Sequence, residues 1–288
     1  MSGFCESAPL NYLSTMSNLD QHIIRHGITE RYASTTEAEF CVEEILTKGY
    51  SIIPGSFDAA TIARISECSD KAYAKQCETL GGEENLSRIN DANIARAPSA
   101  DFDVFIDVAM DPKVHAVANA LLGKNYILYS QNAILNVPST NHYQFSWHRD
   151  LNYQHWTSSR CLALSALLCV DPFDEVTGGT YVLPATHKVE KFPSDRYVLE
   201  NQLCVHARPG DWILFDSMLF HRTGKNTSTA IRRAVNHIIV PPFMAQQYDF
   251  MAMLGEKLKT QEERVFFGQG RRTAASATEW RQIRIDRS

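Results

Sequence analysis

Three side chains in two separated stretches of this chain are of types that bind a metal. His148-Arg149-Asp150 sets an imidazole and a carboxylate two residues apart after the run Tyr143 to Trp147, and His221 follows the run Trp212 to Phe215 and a short Asp216-Ser217 turn. On extended chain, residues i and i+2 project from one face, so this pair would converge on one point. Two histidines and one carboxylate on one side of a cation leave three coordination positions open. That is the arrangement of non-haem Fe(II) oxygenases, and zinc accepts the same ligand set. Arg232 lies past the Gly224-Lys225-Asn226 turn, on what reads as the next antiparallel strand. A guanidinium there can clamp a free carboxylate through two parallel hydrogen bonds, as an oxygenase consuming a dicarboxylate requires. Arg233 points to the opposite face, and a one-residue slip in register would exchange the two roles.

Holding these groups requires strands, and the chain supplies them after Gly123. The runs Tyr126 to Val137, Tyr143 to Trp147, Cys161 to Val170, Thr180 to Leu183, Trp212 to Phe215 and Ala234 to Val240 read as strands. Turn-forming groups separate them, among them Pro138-Ser139-Thr140-Asn141, Gly178-Gly179 and Pro209-Gly210. Ahead of Gly123 the periods are helical. A first helix begins near Thr36 and stops at Gly49, before a short apolar run, Tyr50 to Ile53. A second starts at Ser56 or Asp58 and runs toward Cys77. A third has Asp111 as cap, Pro112 at its first position and Gly123 as its stop. Helices first and short strands after imply an α+β protein whose second part is a sandwich or small barrel. Residues 1–34 read as an irregular leader and 35–288 as one domain, with helical support over about 35–123, a strand core over about 124–241, and a helix and basic irregular tail over 242–288.

Composition narrows the partners. The 288 residues carry 28 Lys+Arg against 33 Asp+Glu, a net charge of −5, which gives no general attraction to nucleic acid or anionic lipid. The longest nearly unbroken apolar stretch, Cys161 to Val170, is half of the roughly 20 residues a spanning helix needs. There is no basic-then-apolar start of a secretory signal and no C-terminal Ser-Lys-Leu. Seven cysteines, an odd number without a CxxC pair, argue against a disulfide framework and for a reducing cytoplasm. A small molecule is the expected partner, and nothing marks an oligomeric interface.

The ordered segments Trp147-His148-Arg149-Asp150-Leu151-Asn152-Tyr153, Gly179-Thr180-Tyr181-Val182-Leu183-Pro184-Ala185-Thr186-His187-Lys188, Pro209-Gly210-Asp211, His221 and Arg232 resemble the phytanoyl-CoA dioxygenase family, which includes ectoine hydroxylases. The resemblance implies a double-stranded β-helix of jelly-roll or cupin-like type, flanked by N-terminal helices. It implies Fe(II) held by His148, Asp150 and His221, and 2-oxoglutarate held by Arg232 with support from Thr223, Asn136 and Asn132. It implies a dioxygenase that hydroxylates a small molecule with O2 and releases succinate and CO2. Related halogenases carry a small residue in place of Asp150, so hydroxylation is favoured over chlorination. Tyr153, His155, Trp156 and Arg149, around and just past the HxD, are the candidate substrate-lining residues, while His142 and His187 receive no role. The chain departs from the family pattern at two turns, with Thr177-Gly178-Gly179 in place of the usual Asn-Gly, and Ala185 where a glycine is expected. A cupin-like metal-dependent isomerase or hydrolase that uses no 2-oxoglutarate is an alternative, but it leaves Arg232 unexplained. A noncatalytic jelly-roll binding protein is another, and it makes the triad accidental.

Overall fold

The computed structural model describes residues 23, 25–140, 143–152 and 155–286; of the residues singled out above, Tyr153 and His142 lie outside them. The chain divides into two compact units, Met1–Ala33 and Ser34–Ser288. Residues 25–33 carry no helix or strand.

The larger unit opens with helices started by local capping. In α1 (Glu37–Lys48), Thr36 and Glu39 cap each other reciprocally, and Gly49, at φ 94°, turns its N–H back to Ile45 O. Then come β1 (Tyr50–Pro54), α2 (Ala59–Thr79) capped by Asp58, α3 (Glu83–Arg88), β2 (Ile94–Arg96), α4 (Val104–Ala109) and α5 (Pro112–Leu122). The α5 cap, Asp111, also receives the Ser56 hydroxyl at 2.9 Å and the Trp212 indole N–H at 2.8 Å, which ties the helices to a central strand.

The strand region comprises β3 (Ile127–Asn136), β4 (Leu164–Cys169), β5 (Thr180–Val182), α6 (Asp195–Asn201), β6 (Leu203–Cys204), β7 (Asp211–Asp216), β8 (His221–Thr223) and β9 (Arg232–Val240), followed by α7 (Phe250–Leu254), α8 (Gln261–Phe266) and α9 (Ala277–Ile285). A six-stranded antiparallel sheet runs β1-β7-β4-β9-β3-β2, and a three-stranded one runs β6-β5-β8. Side chains alternate across the large sheet. Leu164, Ala166, Leu168, Leu214 and Val235 face the helices, while Leu167, Cys169, Ile213, Phe215 and Ala234 pack against Val182 of the small sheet. The fold is thus a double-stranded β-helix with helices covering one face.

Two expectations fail. Tyr143–Phe145 forms a 3-10 turn, not a strand, and pairing in this segment shrinks to one bridge between His148 and His221. The apolar spacing that suggested a strand instead places Trp147 on the Leu183, Val198 and Phe220 cluster. The C-terminal stretch is three helices rather than one helix and an irregular tail. A Thr260–Glu263 capping box starts α8 and Ser276 caps α9; Phe250, Leu254, Phe266 and Phe267 join the helix-side core, while α9, which carries Arg281 and Arg284, buries nothing.

Candidate active site

His148, Asp150 and His221 meet. One Asp150 oxygen, Oδ1, lies 3.5 Å from His221 Nε2 and 3.9 Å from His148 Nε2. The geometry rests on the bridge between the two histidines, whose backbones exchange N–H···O bonds of 3.0 Å each way. Each imidazole is also fixed from behind: His148 Nδ1 is 2.9 Å from Ser146 O and His221 Nδ1 is 3.0 Å from Leu219 O. A carbonyl only accepts, so each Nδ1 carries a proton, which leaves each Nε2, directed toward Asp150, as the nitrogen whose lone pair a neutral ring would offer a metal. Burial opposes ionisation of Asp150, but the charge and hydrogen bond of His221, with smaller contributions from His148 and Ser165, bring its pKa down to about 2. Burial likewise works against a charged His221, and Asp150 outweighs it, so that its pKa rises. Two lone-pair nitrogens and an ionised oxygen at one point fit a divalent transition metal.

One other group of metal-ligand type occurs among the described residues, the exposed Glu175 and His206 with the half-buried Cys204. His206 is already paired with Glu175 at 2.9 Å, and burial with the acidic neighbours Glu175 and Asp174 pushes the Cys204 thiol up to about 11. Thiolate is scarce there at neutral pH, and no metal is assigned.

Arg232 faces the β-helix interior. It pairs in register with Asn136, is 3% exposed, donates to Gly178 O at 2.7 Å and lies 4.3 Å from the Phe173 ring centroid. Its Nε and Asn136 Oδ1 are buried with no hydrogen-bond partner among the described residues. Desolvation pulls the guanidinium down to about 10. Arg233 turns to the outer face and bonds Asp70 at 2.7 and 2.9 Å and Asp171 at 3.1 Å, so the register puts Arg232 inside. Thr223 ends β8 opposite Thr180. Gly178, at φ 75°, is required where it stands: a Cβ would fall 2.5 Å from Asn136 Nδ2 and from Gly224 O.

A cavity of about 1000 Å³ opens on two of the three triad residues, His148 and Asp150, and is lined as well by Asn132, Ser130, Asn236 and the exposed His155. Ser130 Oγ, Asn132 Oδ1 and Asn236 Oδ1 are buried without hydrogen-bond partners among the described residues. Trp156 is exposed and stands outside the lining. Arg149 borders the cavity, but its guanidinium donates to the carbonyls of Met218, Glu190, Thr186 and Val189 and lies 3.9 Å from the Phe220 ring centroid, binding the chain segments around the mouth together. Sequence reasoning missed Ser130, Asn236 and Ser165. Asn236 had a signal, since Arg232, Ala234 and Asn236 share one face of β9 by simple alternation.

A sequence model of the phytanoyl-CoA dioxygenase family (PhyH) matches residues 45–234. Uncharacterized protein Rv1501 of Mycobacterium tuberculosis is 28% identical over 219 residues, covering 72% of this chain and 77% of that protein. Among solved structures, EctD from S. alaskensis with 2-oxoglutarate and 5-hydroxyectoine superposes with a TM-score of 0.59 at 20% identity, over 70% of this chain and 75% of EctD. SnoN, a non-heme alpha ketoglutarate dependent epimerase from nogalamycin biosynthesis, gives 0.53 at 17% identity, over 71% of this chain and 83% of SnoN. At these identities the structural likeness establishes the fold.

Proposed function

The chain belongs to the phytanoyl-CoA dioxygenase family, and from that premise we propose that it hydroxylates a polar small molecule, with His148, Asp150 and His221 holding the iron and Arg232 anchoring 2-oxoglutarate. It is in general terms a 2-oxoglutarate-dependent iron dioxygenase. The observation that carries the site assignment is the convergence of two Nε2 atoms on Asp150 Oδ1, with each Nδ1 tied to a carbonyl.

When bound, Fe(II) and 2-oxoglutarate would, with O2, supply an oxidant for a C–H bond through oxidative decarboxylation to succinate and CO2, one oxygen atom going to succinate and one to the substrate. The chain's own groups bind and orient. The Nδ1–H···O bonds stop both imidazoles from rotating. Arg232 Nε, unpaired among the described residues, offers a donor to the far carboxylate of the cosubstrate, and Phe173 supports the guanidinium plane. Phe215, beside His221 at 4.7 Å between ring centroids, and the surrounding apolar cluster keep water away from that ligand. On the open side, the cavity has a polar lining that includes Ser130, Asn132, Gln144, Asn152, Asn236 and Gln247. A substrate with hydroxyl, amine or amide groups would satisfy them, and a hydrocarbon chain would leave them stranded. The isomerase and hydrolase alternatives give Arg232 no task that justifies a buried guanidinium with no ion partner among the described residues.

Succinate release measured over a panel of polar metabolites tests this reading. Release should need Fe(II) and disappear in His148→Ala, and the product should carry one atom from labelled O2. Well-folded protein that shows no Fe(II)–2-oxoglutarate charge-transfer band under anaerobic conditions would refute it.

A further inference from the structure

The two oxygens of Asp150 have different partners. Oδ1 faces the histidines, whereas Oδ2 accepts the Ser165 hydroxyl at 2.5 Å. Ser165 Oγ is in turn 2.7 Å from Ser217 Oγ. A hydroxyl has one proton. Since the Ser165 proton goes to the carboxylate, Ser217 must donate to Ser165, and the chain of bonds runs Ser217 to Ser165 to Asp150, every donor directed at the anion. Ser217 also receives the Asp150 backbone N–H on its carbonyl at 3.0 Å, and its own N–H bonds Ala163 O at 3.0 Å. Both serines are wholly buried, so bulk water has no access with which to replace either hydroxyl.

We propose that Ser165 and Ser217 form a buried hydroxyl relay that holds Asp150 as a one-oxygen metal ligand. The proposal rests on the reading of the triad as the iron site. Oδ2 is the oxygen that a rotating carboxylate would bring to the metal as a second donor, and the relay keeps it engaged elsewhere. Three protein atoms then occupy three positions of a six-coordinate ion, leaving two for the 2-oxo acid and one for dioxygen. A second carboxylate oxygen would take the last of these. Hydrogen bonding to a coordinating carboxylate also fixes its orientation, an effect that typically changes metal affinity by about 10–100-fold. The serines touch neither metal nor substrate and act through Asp150, so they are positioning residues.

Ser165→Ala and Ser217→Ala separate this role from ordinary packing. Anaerobic Fe(II) titration of the full-length protein should show affinity reduced by about 10–100-fold in Ser165→Ala and by a smaller factor in Ser217→Ala, where Ser165 still reaches the carboxylate. The near-infrared ligand-field bands of the Fe(II)-loaded protein, which report coordination number, should shift in Ser165→Ala, and Ser165→Thr, which restores a hydroxyl, should return them toward the wild-type positions. A loss of packing alone would lower the melting temperature and leave the bands in place. Ser165→Ala with wild-type affinity and unchanged bands overturns the relay while leaving the iron site standing; wild-type protein that binds no Fe(II) overturns the reading beneath it. Should Ser165→Ala fail to fold, Ser217→Ala decides: weakened Fe(II) binding supports the relay and unchanged binding overturns it.

Discussion

Replacing Arg232 with methionine should leave the ligand-free protein no less stable and should abolish its response to 2-oxoglutarate. The guanidinium is 3% exposed and has no carboxylate at ion-pair distance among the described residues; it has Gly178 O at 2.7 Å and the Phe173 ring at 4.3 Å. Burial moves its pKa from the ordinary arginine range down to about 10, which at about 1.4 kcal/mol per tenfold change is roughly 3 kcal/mol against the charged form. The sign is definite: a cation whose folded pKa is depressed carries this penalty in full at every pH below about 10, neutral pH included. Against it stands a hydrogen bond from a charged donor, worth about 1.5–3 kcal/mol. Methionine keeps the contact with Phe173, so the variant should range from equal stability to about 1.5 kcal/mol more stable, a rise in melting temperature of up to about 3–6 °C. Bound 2-oxoglutarate supplies the missing anion. At about 100 times Kd it should stabilise the wild-type, Fe(II)-loaded protein by about 2.7 kcal/mol and the variant hardly at all. Anaerobic thermal unfolding with and without 2-oxoglutarate measures both quantities. Arg233→Ala is the control. It breaks the Asp70 and Asp171 pairs, and because Asp70 is 44% exposed the cost should be only about 1 kcal/mol, while the 2-oxoglutarate shift survives. An Arg232→Met protein that is several kcal/mol less stable, or one that 2-oxoglutarate stabilises as much as wild type, would refute the reasoning.

Two further outcomes follow from the same geometry. Ala185 sits at φ 64° and ψ 3°, a left-handed conformation costing an L-residue about 1–2 kcal/mol, so Ala185→Gly should stabilise the protein by about 0.5–1 kcal/mol after the glycine's own entropy is counted; a urea midpoint at or below wild type would count against the strain. In the metal-free protein, Asp150 raises the pKa of His221, which contributes stability below the ordinary histidine value that is lost as pH rises through the raised one. Iron needs the neutral ring and must displace that proton, so the apparent Fe(II) affinity should fall about tenfold per pH unit below the raised pKa, and Fe(II) titrations between pH 6 and 8 that show no slope would exclude protonated His221 as the competitor.

What the sequence revealed and what it hid separate by the range of the interactions involved. Asp111, Pro112 and Gly123 mark α5 to the residue because caps act within one turn of chain. Alternation along β9 gave the choice between Arg232 and Arg233, since Arg233 had acidic partners waiting on the helix side, Asp70 and Asp171. The candidate metal-ligand residues were legible by type, but the strand expected to carry them is absent: His148 is held by a single bridge to a three-residue strand at His221, too short to leave a periodic trace. Arg149 shows the limit most plainly. Its place inside the HxD suggested a group facing substrate, and only folding reveals four carbonyls from two distant segments taking up its donors. The serine relay is hidden for the same reason, because Ser165 and Ser217 are 52 residues apart and neither belongs to a motif. The chemistry-bearing types can therefore be read from the chain, while the groups that hold them still are set by tertiary contacts between side chains and backbone with no signature of their own. It is among these supporting contacts that substitutions remote from any motif should most alter the iron site.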